Sequence, residues 1–144
     1  MLISTRGRYA LRVLVDMAEH RKVGEYVPLL DVAKRQEISE KYLENIVKSL
    51  VKAGIVEGLR GKGGGYRLTR EPDRICVRDA LEACEGTLAP VSCLEAGARP
   101  CARMAHCRTL PLWQGLDQVI SDYLNSRTIA DLMQPGVSGD DYVI

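Results

Sequence analysis

A chain of 144 residues, 46% hydrophobic and with a formal net charge of +1, is long enough for one ordinary domain, or one with a small extension, and short for two independent cores. Its apolar stretches fall short of the run of about 18 residues that suggests a membrane span. The opening Met1 to Arg6 also lacks the apolar core of a secretory signal, so a cytoplasmic protein with no membrane association is expected. In that compartment thiols stay reduced, which points the five cysteines toward ligand, sensor or small-core roles rather than disulfides.

The near-neutral total conceals a division. Through Arg74 there are 15 Lys/Arg against 10 Asp/Glu, and beyond it 5 against 9. A basic first half beside an acidic second suits a polyanion-binding part joined to a part that binds something else, although uneven solvated charge alone would look the same.

In chain order, Ala10, Val13, Leu14, Met17 and Ala18 recur at the spacing of a buried helical stripe, with Ser4 or Thr5 placed to cap its start. After a turn around Gly24, Pro28 can open a short second helix to about Arg35, offering Leu29, Leu30, Val32 and Ala33 for packing. Ser39 caps a third helix running to about Ala53 and stopped by Gly54. Two short helices joined by a tight turn are a helix-turn-helix. Leu43, Ile46, Val47 and Leu50 form the buried face of the third helix, which leaves Lys41, Glu44, Asn45, Lys48 and Lys52 on its polar faces. Such residues reach base edges in a major groove: a carboxylate accepts from cytosine N4, an amide pairs with adenine, and a lysine neutralises phosphate. For Lys48 and Lys52 alone, a merely solvated face is the favoured reading.

Val56–Leu59 and Tyr66–Thr69 are short strand-like runs flanking Arg60-Gly61-Lys62-Gly63-Gly64-Gly65. Glycines supply positive φ and remove side chains, so the hairpin tip can approach a surface closely. Directly after a helix-turn-helix this reads as a wing. Arg60 and Lys62 could enter a minor groove or meet phosphate, with Arg67 and Arg70 as supporting charge. A phosphate-binding loop is excluded because no Lys-Ser or Lys-Thr ends the glycine run and strands lie on both sides.

Val77–Glu85, ended by Gly86, reads as a fourth helix, and Thr87 to Arg108 as a loop without periodicity. Cys93, Cys101 and Cys107 lie in that loop and could hold an iron–sulfur cluster or zinc. Zinc usually takes four ligands on paired Cys-x-x-Cys hooks, which the chain lacks, whereas a cluster tolerates wider spacing and a non-cysteine ligand. Cys76 and Cys84, outside the loop, are expected as small buried hydrophobes. A further helix from about Leu112 to Asn125 carries Leu112, Leu116, Val119, Ile120, Tyr123 and Leu124 along an apolar stripe, with Trp113 as a large anchor. That stripe could complete the core, but a symmetric partner suits it better, because a dimer lets two DNA-reading units address a two-fold, palindromic operator. Thr128 caps a last short helix.

The expected fold class is therefore mainly α with a small β-hairpin: a winged helix-turn-helix over residues 1–75, a cluster-binding loop and dimerisation helices over 76–133, and a mobile tail over 134–144. Two histidines and no acid pair, nucleophile constellation or cofactor fingerprint make an enzyme a poor reading.

The chain resembles the IscR-type iron–sulfur-responsive repressors of the Rrf-two superfamily. The likeness runs to Met133 and rests on Ser4-Thr5-Arg6-Gly7-Arg8-Tyr9-Ala10, Ile38 with Tyr42-Leu43-Glu44, the wing from Arg60 to Tyr66, the three loop cysteines, Leu112-Trp113 and Thr128-Ile129-Ala130-Asp131-Leu132. It implies a homodimeric repressor of iron–sulfur cluster biogenesis genes that binds double-stranded DNA, with Cys93, Cys101 and Cys107 as cluster ligands. By the same resemblance Glu44 sits where the family discriminates operator classes, Arg60 sits at its minor-groove arginine, and the dimer forms through the long helix. A 2Fe-2S cluster is favoured over 4Fe-4S. Two departures bear on the fourth ligand: Leu110 stands where a histidine is usual, and Arg8 stands near where some relatives carry an acidic ligand. His106, Glu95, another carboxylate or an exogenous ligand remain open. Nitric oxide or redox sensing through the same thiols is the alternative within regulation.

Overall fold

The computed structural model describes residues 2–22 and 24–135. Ser4 starts the first helix, α1 (Thr5–His20), by accepting from the Gly7 N–H at 3.2 Å. The expected stripe is its buried face, with Ala10, Val13 and Leu14 at 0% exposure. The second helix, α2, spans Leu29–Gln36, with Pro28 as its cap residue. Leu30 faces solvent, so the packing of α2 rests on Leu29, Val32 and Ala33.

The tight turn into the third helix, α3 (Glu40–Lys52), places Glu37 in the left-handed region at φ 56°, and the Glu37 N–H closes on the Ala33 carbonyl. Glycine is the usual occupant of that conformation, so the turn carries no glycine signal in the sequence. Ser39 caps α3 by accepting from the Tyr42 N–H, and Leu43, Ile46, Val47 and Leu50 are all fully buried. Each such side chain stabilises the fold by about 1.5–3 kcal/mol relative to exposure.

A buried charge fastens α1 to α2. The Asp16 carboxylate accepts from Arg35 Nε at 3.0 Å, Arg35 Nη2 at 2.7 Å and Gln36 Nε2 at 2.8 Å, which satisfies an anion removed from water. The Arg35 guanidinium is held above its usual range, first by that hydrogen-bonded carboxylate.

Strands β1 (Val56–Leu59) and β2 (Gly65–Leu68) pair antiparallel, with Glu57 opposite Arg67 and Leu59 opposite Gly65. The second strand therefore starts one residue earlier than its sequence suggests. The wing is pinned to the body where Val27 and Tyr66 exchange two backbone hydrogen bonds of 2.8 and 2.9 Å. Gly65 sits at this crossing, where a Cβ would run into the Val27 backbone.

The fourth helix, α4 (Val77–Glu85), packs against α1 and α3, and Ile75, Ala80 and Ile129 belong to the same core as α1–α3. Two one-turn 3-10 segments, Ser92–Leu94 and Met104–His106, interrupt the loop that follows. The long helix, α5 (Leu110–Asn125), starts two residues earlier than expected, with Pro111 in its first turn. None of its residues is buried, and Leu112, Val119 and Tyr123 are 62%, 64% and 58% exposed. It is held near its C-terminal end, where Leu124 packs on Val77, Leu81 and Leu88 and the Cys76 thiol donates to the Leu124 carbonyl.

The last helix, α6 (Ile129–Leu132), returns to the core by way of Val77 N–H to Arg127 O and Ile129 N–H to Ile75 O, both 2.9 Å. Thr128 and Asp131 form a reciprocal capping box there. Beyond Pro135 the expected tail lies outside the described residues. Among the described residues no helix is long and apolar enough to cross a membrane.

Candidate functional site

The third helix and the wing form the first candidate surface. Lys41, Glu44, Asn45 and Lys48 are all exposed, because the buried positions of α3 take the opposite face. The Ser39 cap leaves the first turn well formed, so Lys41 and Glu44 project from an ordered helix end. From the first turn of α1, Arg6 donates to the Asn45 carbonyl at 3.1 Å and to the Ser49 hydroxyl. No sequence pattern announces that contact, which joins residues 39 and 43 positions apart.

At the wing, Arg60, Gly61, Lys62 and Gly63 are exposed, while Gly64, Gly65 and Tyr66 are partly covered where the hairpin meets the body. Gly61 and Gly63 have φ of 94° and 74°, conformations that let the tip reverse within a few residues. Arg60 and Lys62 make no salt bridge within the described residues. Arg67 and Arg70 differ from them. Arg67 pairs with Glu57 at 2.6 Å and lies 4.4 Å above the Tyr26 ring, and Arg70 donates to the Arg74 and Gly54 carbonyls. Their charge is engaged in holding the hairpin, which leaves Arg60 and Lys62 as its unpaired cations.

The second candidate is the cysteine loop. Cys93 and Cys107 are half-exposed, Cys101 is exposed, and all three are free thiols. Cys93 lies in the first 3-10 turn and Cys107 ends the second, whereas Cys101 lies between them. Among the described residues no three His, Cys, Asp or Glu side chains are gathered closely enough to hold a metal ion. The donor set fits an iron–sulfur cluster in kind, with three thiols and the exposed His106 and Glu95 on one loop. Its present arrangement would have to close around a cluster. The Cys107 thiol is held below its ordinary range by the Thr109 hydroxyl, 3.5 Å away, then by the Thr109 backbone, with Arg103 adding a smaller contribution. That favours the ligating thiolate.

Cys76 and Cys84, expected as small buried hydrophobes, are only half-buried. Cys76 starts α4 and donates to backbone carbonyls at the end of α5, and burial pushes the Cys84 thiol above its ordinary range, with Arg6 opposing.

Residues 3–135 match the family Rrf2, described as an iron-dependent transcriptional regulator. The chain is 38% identical over 133 residues to the HTH-type transcriptional regulator IscR of Aliivibrio salmonicida, covering 92% of this chain and 77% of that one. It is 40% identical over 139 residues to IscR of Cereibacter sphaeroides, covering 93% and 88%. Among solved structures, CymR, the global cysteine regulator of B. subtilis, superposes with a TM-score of 0.72 at 34% identity, over 98% of this chain and 99% of that one. T. potens IscR gives 0.69 at 33%, over 92% and 85%. The agreement of fold, wing and near-complete sequence match carries the same conclusion: the chain belongs to the Rrf2 family of transcriptional regulators and is not an enzyme.

Proposed function

We propose that the chain is a homodimeric, DNA-binding repressor that senses iron–sulfur cluster status through Cys93, Cys101 and Cys107 and controls cluster biogenesis genes. The observation that carries this reading is the position of the cysteine loop. It connects α4, which packs on α3, to α5, which offers an unburied apolar face. Lys41, Glu44, Asn45 and Lys48 would meet a major groove, while Arg60 and Lys62, at a glycine tip too slim to clash, would meet phosphate or a minor groove. Leu112, Leu116, Val119 and Tyr123 are spaced four, three and four residues apart, the seam by which one helix packs on its symmetry mate. A dimer so made presents two recognition helices to a palindromic operator.

A bound cluster, with 2Fe-2S favoured, would supply bonds from iron to the loop thiolates and so a state-dependent ordering of the loop. Cys93, Cys101 and Cys107 would hold it, with His106, Glu95 or an exogenous group at the remaining position. Control of DNA binding requires that the ordered loop favour one placement of α3 over another, since a ligand shifts an equilibrium only by its differential affinity.

The test is anaerobic purification followed by visible and electron paramagnetic spectra with iron and acid-labile sulfide analysis. Replacing any of Cys93, Cys101 or Cys107 by Ala is expected to abolish visible absorbance and labile sulfide, whereas Cys76→Ala and Cys84→Ala retain both. Stoichiometric sulfide in all three loop variants would contradict the ligand assignment. The lowered Cys107 thiol supports a second reading, sensing of oxidants or nitric oxide through the same thiols. Under it, operator affinity would respond to mild oxidant in protein that holds no iron.

A further inference from the structure

Two consecutive residues end α4 and begin the approach to the cysteine loop, and both touch the first turn of α1. Glu85, the last residue of α4, accepts from the Ser4 backbone N–H at 2.9 Å and from the Ser4 hydroxyl at 2.6 Å. Its carboxylate fills the space beside Gly7, where a Cβ would overlap it. Negative charge at a helix N-terminus is favourable, so the contact is both fitted and electrostatically suited. Cys84, one residue earlier, lies against Arg6. Arg6 in turn crosses to the recognition helix, donating to the Asn45 carbonyl and the Ser49 hydroxyl, while its Nε is buried without a partner.

The corner made by Ser4, Arg6, Gly7, Cys84 and Glu85 therefore joins the edge of the loop to α3. Apolar packing also joins α3 to α4, but the hydrophobic effect behind it is non-directional. Arg6 differs, because its Nη2 donates to two acceptors one turn apart, which fixes both the rotation and the axial position of the helix that carries Asn45.

We propose that Arg6 is a positioning residue for DNA recognition, through which Glu85 and Ser4 couple the state of the cysteine loop to the placement of α3. Resting on the proposed function, this names how that control reaches the recognition helix. When the loop changes its pull on the end of α4, the Glu85 hold on Ser4 shifts the first turn of α1. Arg6 carries that shift to the Asn45 backbone, beside the exposed Glu44 and Lys48.

The test uses Arg6→Lys and Glu85→Gln. Lysine keeps the charge but its ammonium falls one bond short of the Nη2 that makes both contacts, and glutamine keeps the shape while losing the anion at the α1 terminus. The DNA probe is a duplex enriched from random-sequence DNA by loaded wild-type protein, and the readout is the ratio of its affinities for loaded and cluster-free protein. Thermal unfolding of the cluster-free variants checks that they fold. Ser49→Ala, which removes one of the Arg6 acceptors, carries the test should Arg6→Lys not fold.

In the wild type the ratio is expected at about 5- to 150-fold, the usual span of coupling between sites. In the variants it falls toward one, with loaded cluster content unchanged. A purely supporting role for Arg6 would weaken both forms equally and preserve the ratio. A wild-type ratio well above one that the variants keep would overturn this proposal alone. No enrichment, or a wild-type ratio of one, would overturn the proposed function and the coupling with it.

Discussion

The segments on either side of the end of α4 satisfy their apolar residues in different ways. In α1–α4 the periodic positions close on one another, so that Leu14, Leu43, Ile46 and Leu50 reach 0% exposure. From Ala89 to Thr128, across the cysteine loop and all of α5, no residue is buried. Both segments contain regular helices, and both carry apolar stripes. The difference lies in what covers each stripe: the first is covered within the same chain, whereas the second is left uncovered, as the proposed dimer requires. An uncovered apolar stripe of that kind suits the sensor and assembly roles proposed above and would be a liability in a scaffold.

Truncation of the core should produce the largest effect. Leu14→Ala is expected to destabilise the protein by about 2–5 kcal/mol, measured by urea unfolding of the cluster-free form, because a rigid, fully buried site cannot collapse around the space created. An equivalent loss from Leu112→Ala would erase the contrast between the two segments. A charge on the bare seam acts on assembly instead. Val119→Glu should raise the dimer dissociation constant by roughly 30-fold or more in sedimentation experiments, as expected for loss of an interface anchor worth about 2 kcal/mol. An unchanged dissociation constant would place the assembly surface elsewhere.

Within the loop, Cys101→Ala should alter cluster-free stability by no more than about 0.5 kcal/mol, since the side chain is exposed and unpaired, while iron content falls. A large loss of stability without iron would show that the loop is structural. The smallest effect concerns Cys84, whose thiol is raised by burial and opposed by Arg6. As pH rises through the ordinary thiol range, the unfolded thiol ionises before the folded one. The contribution to stability is thus full below that range and is lost above it. Cys84→Ala should flatten the alkaline limb of the stability–pH profile, and an unaltered limb would contradict the burial argument.

The helix stripes, the Ser39 and Thr128 caps, the Gly54 stop and the glycine wing were legible in the sequence because each is a local pattern with a local cause. The turn at Glu37 was less so, since its left-handed conformation is imposed by the packing of α2 and α3 on α1 rather than by residue type. The wing cations were legible as charge but not as partners: the register that sets Glu57 against Arg67, and the Arg74 and Gly54 carbonyls that take Arg70, separate the engaged arginines from Arg60 and Lys62. Composition shows the loop thiols, yet their separation in space depends on the path of a loop without periodicity. Contacts such as Arg6 to Asn45 and Ser4 to Glu85 join distant segments and leave no periodic trace.

The most direct test of the central claim measures DNA affinity and cluster content on the same samples: wild type and Cys101→Ala, each before and after anaerobic reconstitution with iron and sulfide. The wild type is expected to gain stoichiometric iron and labile sulfide and to change its affinity for the enriched duplex, while Cys101→Ala gains neither and keeps one affinity throughout. A wild type that loads a cluster without any change in DNA affinity, or a Cys101→Ala protein that loads and responds like the wild type, would contradict the account.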